Sequence, residues 1–181
     1  EKNKLIRDTN YTDEITNTYT RAWMKDNKLK NNQFISKGTI CVIDLNKFKI
    51  INDTYGHDVG DEGIRVVSRV IKESIRKSDI AIRFGGEEFI VLLYNCDKEY
   101  IKDVAEKIRT TFAKQTISAG ADSFSKTLSV GTSMFPEDSE SIWKCIKYAD
   151  ISLYHAKESG RNQVTSFDPS LIKDSSMQGQ Y

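Results

Sequence analysis

The sequence predicts an α+β domain in which helices cover one face of an antiparallel sheet. A nearly continuous run of apolar and β-branched residues, TICVID at 39–44, has the composition of a buried central strand. Two further apolar runs, DIAIRF at 79–84 and FIVLLY at 89–94, flank the short segment GGEE and predict a β-hairpin. Segments with helical spacing of their apolar residues separate these strands along the chain.

Three helices are predicted between and after these strands. Apolar residues recur every three or four positions at 61–77 and again at 101–112, which is the pattern of an amphipathic helix with one buried face. A third helix is expected to be capped by Asp138 or Ser139 and to end near Gly160, because capping side chains begin helices and glycine commonly ends them.

The remaining strands complete a recognisable order of elements. TLSVGTSM at 127–134 alternates as a strand does, and QVTSF near the end forms a last short strand. The order of elements is strand, helix, hairpin, helix and strand, followed by an added helix and strand. This order matches the ferredoxin-like β-α-β-β-α-β core. We expect the folded domain at 13–168, with a linker at 1–12 and a polar tail at 169–181.

Composition excludes several classes of function. The chain has 181 residues and a net charge of +1, so no basic surface for nucleic acid stands out. No apolar run approaches the roughly 20 residues that span a bilayer, and no signal peptide opens the chain, so we expect a cytoplasmic domain. The 3 cysteines form no CxxC pair, which argues against a zinc site or a disulfide framework.

The tip of the predicted hairpin concentrates negative charge. Asp44, at the end of the first strand, is expected to approach Glu87 and Glu88, and these carboxylates would repel each other unless a cation neutralised them. Oxygen ligands without nearby His or Cys favour magnesium or manganese. Gly85 and Gly86 would let backbone approach a phosphate and would allow positive φ. The alternative is an ordinary solvated turn.

A second segment decides between these interpretations. VIDLNKFKIINDTYGHDVGD at 42–61, taken with GGEEF, resembles the GGDEF domain family, the diguanylate cyclases, whose domains are related in fold to nucleotidyl cyclase catalytic domains. The sequence departs only at Asn46 from the family pattern, which is D-[IL]-D-x-F-K-x-[IV]-N-D-x-[FY]-G-H-x-x-G-D. The matched residues are Asp44, Leu45, Phe48, Lys49, Ile51, Asn52, Asp53, Tyr55, Gly56, His57, Gly60 and Asp61.

The resemblance implies how the acidic residues act. Asp44 and Glu87 would hold two Mg²⁺ or Mn²⁺ ions per site, with the carbonyl of Leu45 as a further ligand, and Glu88 would be a secondary carboxylate. The metals would activate a 3′-hydroxyl for in-line attack on an α-phosphate. The proton acceptor stays open between Glu87, Glu88 and a metal-bound hydroxide or water chain.

The resemblance also implies how guanine is read. Asp61 would accept from the ring N–H and the exocyclic amine, while Asn52 would offer an amide with both a donor and an acceptor. His57 is expected to brace this loop by hydrogen bonding rather than to catalyse.

The phosphates would meet two groups of residues. Lys157 and Arg161, in the segment AKESGRN, match the ending of the family and would grip the β- and γ-phosphates. Taken alone, they are also compatible with a solvated helix end. Backbone N–H groups at 46–49, which include Phe48 and Lys49, are suited to receive phosphate oxygens.

Regulation and assembly follow from the same resemblance. Arg76 and Asp79 match the RxxD inhibitory motif, so cyclic di-GMP is expected to bind there and inhibit. The alternative is a surface ion pair. The segment DEITNTYTR at 13–21 resembles the N-terminal motif D-x-L-T-G-L-x-N-R and keeps Asp13, Thr16 and Arg21, but it carries Asn17 for Gly, Thr18 for Leu and Thr20 for Asn.

The product, cyclic di-GMP, contains two GMP units, so two protomers would have to face each other across a twofold axis. We expect the fragment itself to be mainly monomeric and an upstream sensor domain to bring two copies together. Two other functions stay open: an inactive GGDEF-like receptor for GTP or cyclic di-GMP, and another nucleotidyl cyclase or polymerase-palm enzyme.

Overall fold

The computed structural model describes residues 11–29 and 37–173. The predicted linker at 1–12 lies outside the described residues apart from its last two positions. Of the predicted tail at 169–181, only the start is described, and it forms a 3₁₀ helix at Pro169–Lys173. Among the described residues, no helix combines the length and the apolar character that crossing a bilayer requires.

Within residues 11–29 and 37–173, the chain forms eight strands and five α-helices. The strands are β1 (Tyr19–Thr20), β2 (Gly38–Leu45), β3 (Ile80–Arg83), β4 (Glu88–Tyr94), β5 (Ile117–Ala119), β6 (Asp122–Phe124), β7 (Leu128–Phe135) and β8 (Val164–Ser166). The helices are α1 (Arg21–Met24), α2 (Phe48–Tyr55), α3 (His57–Ser74), α4 (Lys98–Ala113) and α5 (Ile142–Glu158). A π-helical stretch, Lys25–Leu29, continues α1.

Six strands form one mixed sheet in the order β1-β3-β4-β2-β7-β8, and β5 pairs with β6 in a separate hairpin. β2 lies at the centre between two antiparallel partners, β4 and β7. The edge strands β1 and β8 are instead parallel to their neighbours, so the sheet is mixed. The α+β class and the ferredoxin-like order of the four core strands are confirmed.

The sheet differs from the expectation in two respects: its two edge strands are parallel to their neighbours, and helices cover both of its faces. Every residue of β2 is buried, and successive side chains of a strand point to opposite faces, so both faces of β2 need cover. One core lies between the sheet and helices α3 and α4; its strand residues include Cys41, Ile43, Leu45, Phe89, Val91 and Leu93. The other lies under α1 and the added helix α5; its strand residues include Ile40, Val42, Ile82, Ile90 and Leu92.

Helix α5 approaches the sheet closely at one glycine. A Cβ atom built on Gly131 of β7 would lie 2.1 Å from the carbonyl oxygen of Ala149 and 2.3 Å from the backbone nitrogen of Leu153. No side chain fits between the two elements, so Gly131 lets the backbone of α5 pack directly against β7. This contact sets the distance from the sheet at which the C-terminal residues of α5 lie. The helix begins one turn later than predicted: Ser141 caps it by accepting from Lys144 N, whereas the carboxylate of Asp138 accepts from Met134 N.

Candidate active site

The end of the central strand meets the hairpin tip. The antiparallel register of β2 and β4 places Asp44 opposite Glu88, and the backbone N–H of Leu45 donates to the carbonyl of Glu87 at 3.1 Å. The structure therefore brings Asp44, Leu45, Glu87 and Glu88 together at one end of the sheet, as the sequence predicts.

The hairpin tip leaves its two glycines open to solvent. The N–H groups of Phe84 and Gly85 both donate to the carbonyl of Glu88, at 2.8 and 3.1 Å, and close the turn. Neither Gly85 nor Gly86 has positive φ, so that part of the prediction is wrong. A Cβ on Gly85 would make one ordinary contact, 3.5 Å from Glu88 Cβ, and a Cβ on Gly86 would meet nothing within 4 Å. Folding of the turn does not require glycine here, which is consistent with backbone kept bare for a ligand.

Asp44 is the buried centre of the charged cluster. Only 7% of the residue is exposed. Lys157 Nζ donates to its Oδ2, while Oδ1 is buried without a hydrogen-bond partner. Burial raises the pKa of Asp44, Lys157 opposes this rise through its hydrogen bond and charge, and the charge of Glu87 adds to the rise. One acceptor oxygen is thus desolvated and unsatisfied at the predicted metal position.

A fourth carboxylate joins the cluster from α5. Burial, and then the negative charges of Asp150 and Asp44, raise the pKa of Glu88 to about 7. Burial likewise raises the pKa of Asp150 to about 6, with the charge of Lys157 opposing and that of Asp44 adding to the rise. Asp150 is not among the residues that the sequence predicts for the site. Its spacing of seven residues from Lys157, two helical turns on one face, is the signal that could have indicated it.

The oxygen ligands of this cluster fit a magnesium or manganese ion that substrate phosphates and water also bind. They do not fit an ion that protein side chains hold alone. Within the described parts of the chain, no group of three His, Cys, Asp or Glu side chains is arranged to hold a metal ion. Mg²⁺ is typically bound by one or two carboxylates plus substrate phosphates, with waters completing its shell. The unpartnered oxygen of Asp44, with Glu87 beside it, matches that kind of site.

The predicted guanine residues lie on α2 and at the start of α3. Asn52 is half-buried on α2, and its Oδ1 is a buried atom without a hydrogen-bond partner. A Cβ built on Gly60 would lie 1.8 Å from this oxygen, so the Asn52 amide occupies the space beside Gly60, the residue that precedes Asp61. His57 is exposed as the first residue of α3.

The backbone before α2 is only partly available to an anion. Asn46 N–H donates to the carbonyl of Thr127 at 3.0 Å, so the prediction that it receives a phosphate oxygen is wrong. Lys47 adopts positive φ as the N-cap of α2 and provides no side-chain cap. Phe48 is half-buried, and Lys49 is exposed beside it.

Lys157 and Arg161 reach the acidic cluster from the C-terminal end of α5. The ammonium of Lys157 contacts Asp44, as described above, and the charge of Arg161 also lowers the pKa of Asp44, although by less than burial raises it. Arg161 is exposed and lies in the turn after the helix. Lys157 therefore contacts the predicted metal ligand directly, and Arg161 lies near enough for its charge to act on Asp44.

Arg76 and Asp79, the predicted inhibitory pair, lie away from this cluster and are hydrogen-bonded to each other. Arg76 Nε and Nη2 donate to Asp79 Oδ2 and Oδ1, each at 3.1 Å, and the guanidinium lies 4.6 Å from the Tyr100 ring centroid. The Asp79 side chain is fully buried and also accepts from the N–H of Arg76 and of Tyr94. Arg76 keeps 42% of its side chain exposed and lines a cavity of about 510 Å³ with Lys72.

The N-terminal segment is linked to the hairpin tip through one arginine. Arg83 Nη1 donates to both carboxylate oxygens of Asp13, at 3.2 and 3.3 Å, and Nη2 donates to the carbonyl of Gly86 at 2.9 Å. Although burial opposes it, hydrogen bonds from Thr16 and the charge of Arg83 hold the pKa of Asp13 low. Asn17 has φ of 56°, which explains how it replaces glycine in this motif, because Asn tolerates the left-handed region.

Comparisons with known proteins agree with this geometry. A family model described as "Diguanylate cyclase, GGDEF domain" matches residues 10–163. Diguanylate cyclase A of Treponema denticola is 42% identical over 135 residues, which cover 75% of this chain and 36% of that protein. The chain spans from 26% to 37% of the length of the curated relatives that it matches.

Two solved structures show the same architecture. The coiled coil and GGDEF domain of DgcB from Caulobacter crescentus, in complex with c-di-GMP, aligns with a TM-score of 0.81 at 26% identity, over 91% of this chain and 90% of that chain. The active GGEEF domain of a diguanylate cyclase from Vibrio cholerae aligns with a TM-score of 0.68 at 30% identity, over 77% of this chain and 88% of that chain.

Proposed function

Because the chain belongs to the GGDEF domain family, we propose that residues 13–168 form the catalytic domain of a diguanylate cyclase, which joins two GTP molecules into cyclic di-GMP and releases two pyrophosphates. The observation that carries the proposal is the buried, unpartnered oxygen of Asp44, which lies where β2 meets Glu87 and Glu88. Lys157 contacts only Oδ2, so Oδ1 stays a desolvated acceptor without a partner, and the divalent ions that accompany a nucleotide would satisfy it.

Asp44, Glu87 and the carbonyl of Leu45 would hold magnesium or manganese, two ions per site. When bound, the ions would lower the pKa of the attacking 3′-hydroxyl and stabilise charge on the α-phosphoryl group. Glu88 stands next to Glu87 as a secondary carboxylate. The Vibrio cholerae relative is an active domain with the same GGEEF motif, which supports turnover over a receptor role.

Lys157 has two partners in this proposal. Without nucleotide its ammonium neutralises Asp44, as the structure shows, which keeps a desolvated carboxylate from standing uncompensated. With nucleotide bound, the ammonium moves to the β- and γ-phosphates beside Arg161, and the carboxylate becomes free for a metal ion. The same flexible side chain therefore serves both states.

Asn52 and Asp61 would select guanine. The unpartnered Oδ1 of Asn52 gives the amide an open acceptor, and Asp61 supplies the carboxylate for the ring N–H and exocyclic amine. His57 would brace this loop, and the open backbone of Gly85 and Gly86 would receive phosphate.

Assembly and feedback complete the proposal. Two protomers, each with one GTP, would meet across a twofold axis, and an upstream sensor would raise their local concentration. Cyclic di-GMP would bind at Arg76 and inhibit, with buried Asp79 holding the guanidinium in place. The domain would work in the cytoplasm.

The test is incubation of the purified chain with GTP and magnesium, followed by chromatographic separation of the nucleotides. We expect cyclic di-GMP and pyrophosphate in a ratio of one to two, and neither from the Asp44→Asn variant. Tight nucleotide binding without turnover would establish the receptor alternative instead. A different cyclic or linear nucleotide product would point to another nucleotidyl cyclase.

A further inference from the structure

The turn that carries Arg161 has an uncommon backbone. Arg161 and Asn162 have φ of 62° and 48°, although neither is glycine. Positive φ is uncommon for arginine, although asparagine tolerates it, and two such residues in succession are held in place by neighbouring groups. The turn begins where Arg161 N–H donates to the carbonyl of Ala156 at 2.9 Å and thereby ends α5.

Two elements hold this turn from outside. On one side, Arg109 Nη1 of α4 donates to the carbonyl and the side-chain oxygen of Asn162, at 3.3 and 2.9 Å, while Glu106 accepts from Nε and Nη2 of the same guanidinium. On the other side, the N–H of Asn162 donates to Ser129 Oγ of β7 at 3.2 Å. The two sets of contacts fix the backbone on which Arg161 stands.

The Ser129 contact continues to the residue that departs from the family pattern. Ser129 Oγ donates to Asn46 Oδ1 at 2.9 Å, and Asn46 Nδ2 donates to Thr127 Oγ1 at 2.8 Å. Asn46 is 5% exposed, and Ser129 is fully buried. Because the Ser129 hydroxyl gives its proton to Asn46, its lone pair is free to accept from Asn162. The order of donors is therefore fixed from Asn162 through Ser129 to Asn46.

We propose that Asn46 and Ser129 are positioning residues that hold the Arg161 turn so that its guanidinium meets the terminal phosphates of GTP. Asn46 lies two residues after Asp44 on the same chain segment, so the hydrogen bonds tie the phosphate turn directly to the end of the strand that carries the metal ligand. This inference rests on the proposed function, which assigns Arg161 to the β- and γ-phosphates.

The test compares the affinities of GTP and GMP, measured by calorimetry without added magnesium, for wild type and five variants. GMP lacks the β- and γ-phosphates, so only GTP reports on the position of Arg161. Ser129→Ala and Asn46→Leu should each weaken GTP binding about tenfold, the size expected for one lost positioning hydrogen bond, and leave GMP binding unchanged. Asn46→Asp should retain GTP affinity, because a carboxylate can accept from both hydroxyls.

Ser133→Ala is the matched control. Ser133 is a buried serine of the same strand, and its hydroxyl donates to the carbonyl of Cys145, away from the phosphate turn. It should change neither affinity. Arg161→Ala tests the proposed role of Arg161 in binding the β- and γ-phosphates. If it leaves GTP binding unchanged, the phosphate role under the proposed function fails.

Two results would overturn the inference alone. If Arg161→Ala weakens GTP binding but Ser129→Ala and Asn46→Leu do not, the turn holds itself without them. If these two variants weaken GTP and GMP equally, they support the site as a whole and do not position Arg161.

Discussion

Gly60 provides the sharpest test of how guanine is recognised. A Cβ at this position would lie 1.8 Å from Asn52 Oδ1 and 3.0 Å from Asn52 Cγ. To restore a separation of 3.0 Å, the amide has to move by about 1.2 Å. Because the obstructing atom is the end of a side chain, Gly60→Ala should be accommodated by rotation of Asn52 rather than by displacement of α3. The fold should survive, and the amide should leave its position.

The consequence is large for catalysis and small for stability. A misplacement of about 1 Å in a substrate-positioning group can cost roughly 100-fold, so we expect kcat/KM for GTP to fall by 10- to 100-fold. Alanine has a higher helix propensity than glycine by up to about 1 kcal/mol, which should offset the local strain in the free energy of unfolding.

Gly63→Ala is the matched control on the same helix. A Cβ there would meet Ile117 Cδ1 and Leu45 Cδ2, both at 3.6 Å, which is ordinary packing distance. This variant should be as stable as wild type or more so, with unchanged kcat/KM. The assay is the initial rate of cyclic di-GMP formation against GTP concentration, with thermal unfolding of each variant alongside. Wild-type kcat/KM in Gly60→Ala would refute the assignment of Asn52 to guanine.

Four further outcomes are expected. Glu87→Gln should lower turnover by roughly 100-fold or more with its thermal unfolding unchanged, and wild-type turnover would remove Glu87 from the metal site. Arg76→Ala should abolish inhibition by added cyclic di-GMP at unchanged initial rate, whereas equal inhibition in both proteins would exclude the site at Arg76. Specific activity at saturating GTP should rise with protein concentration over a hundredfold dilution series, and a flat profile down to nanomolar protein would contradict a transient dimer. Finally, burial raises the pKa of Glu88 to about 7 and of Asp150 to about 6. Between about pH 4 and pH 7 the folded chain therefore keeps protons that the unfolded chain has already released. The free energy of unfolding should fall as pH rises through this range. The expected fall is on the order of 1 to 3 kcal/mol in urea titrations at pH 5 and pH 8, and Asp150→Asn should reduce it, whereas equal stability at both pH values would show that these carboxylates are not perturbed.

The sequence predicts the core of the fold because local signals and tertiary packing agree there. The apolar strand at Gly38–Leu45 and the hairpin around GGEE are evident from composition alone. Helix α5 lies on the opposite face of the sheet because β2 is apolar on both faces. The apolar run predicts a buried strand, but it does not by itself say which helix covers each face. The short hairpin of β5 and β6 carries too few residues for a periodic pattern.

The site shows the same division. Asp44, Glu87 and Lys157 are found from their motifs, but the contact between Asp44 and Lys157 joins residues 113 positions apart and depends on how α5 rests on Gly131. Asp150 is missed because burial perturbs it, and burial is a property of the folded chain. Asn46 looks like a defect in the pattern, whereas the structure shows both ends of its amide hydrogen-bonded, Nδ2 to Thr127 and Oδ1 to Ser129.

The contact of Arg83 with Asp13 and Gly86 joins the N-terminal segment to the hairpin tip through one side chain. Asp13 lies before β1, Gly86 lies in the tip, and a single guanidinium contacts both. A guanidinium presents its N–H donors in one rigid plane. A displacement of the segment before β1 would therefore act on the carbonyl of Gly86, next to Glu87, across a single side chain.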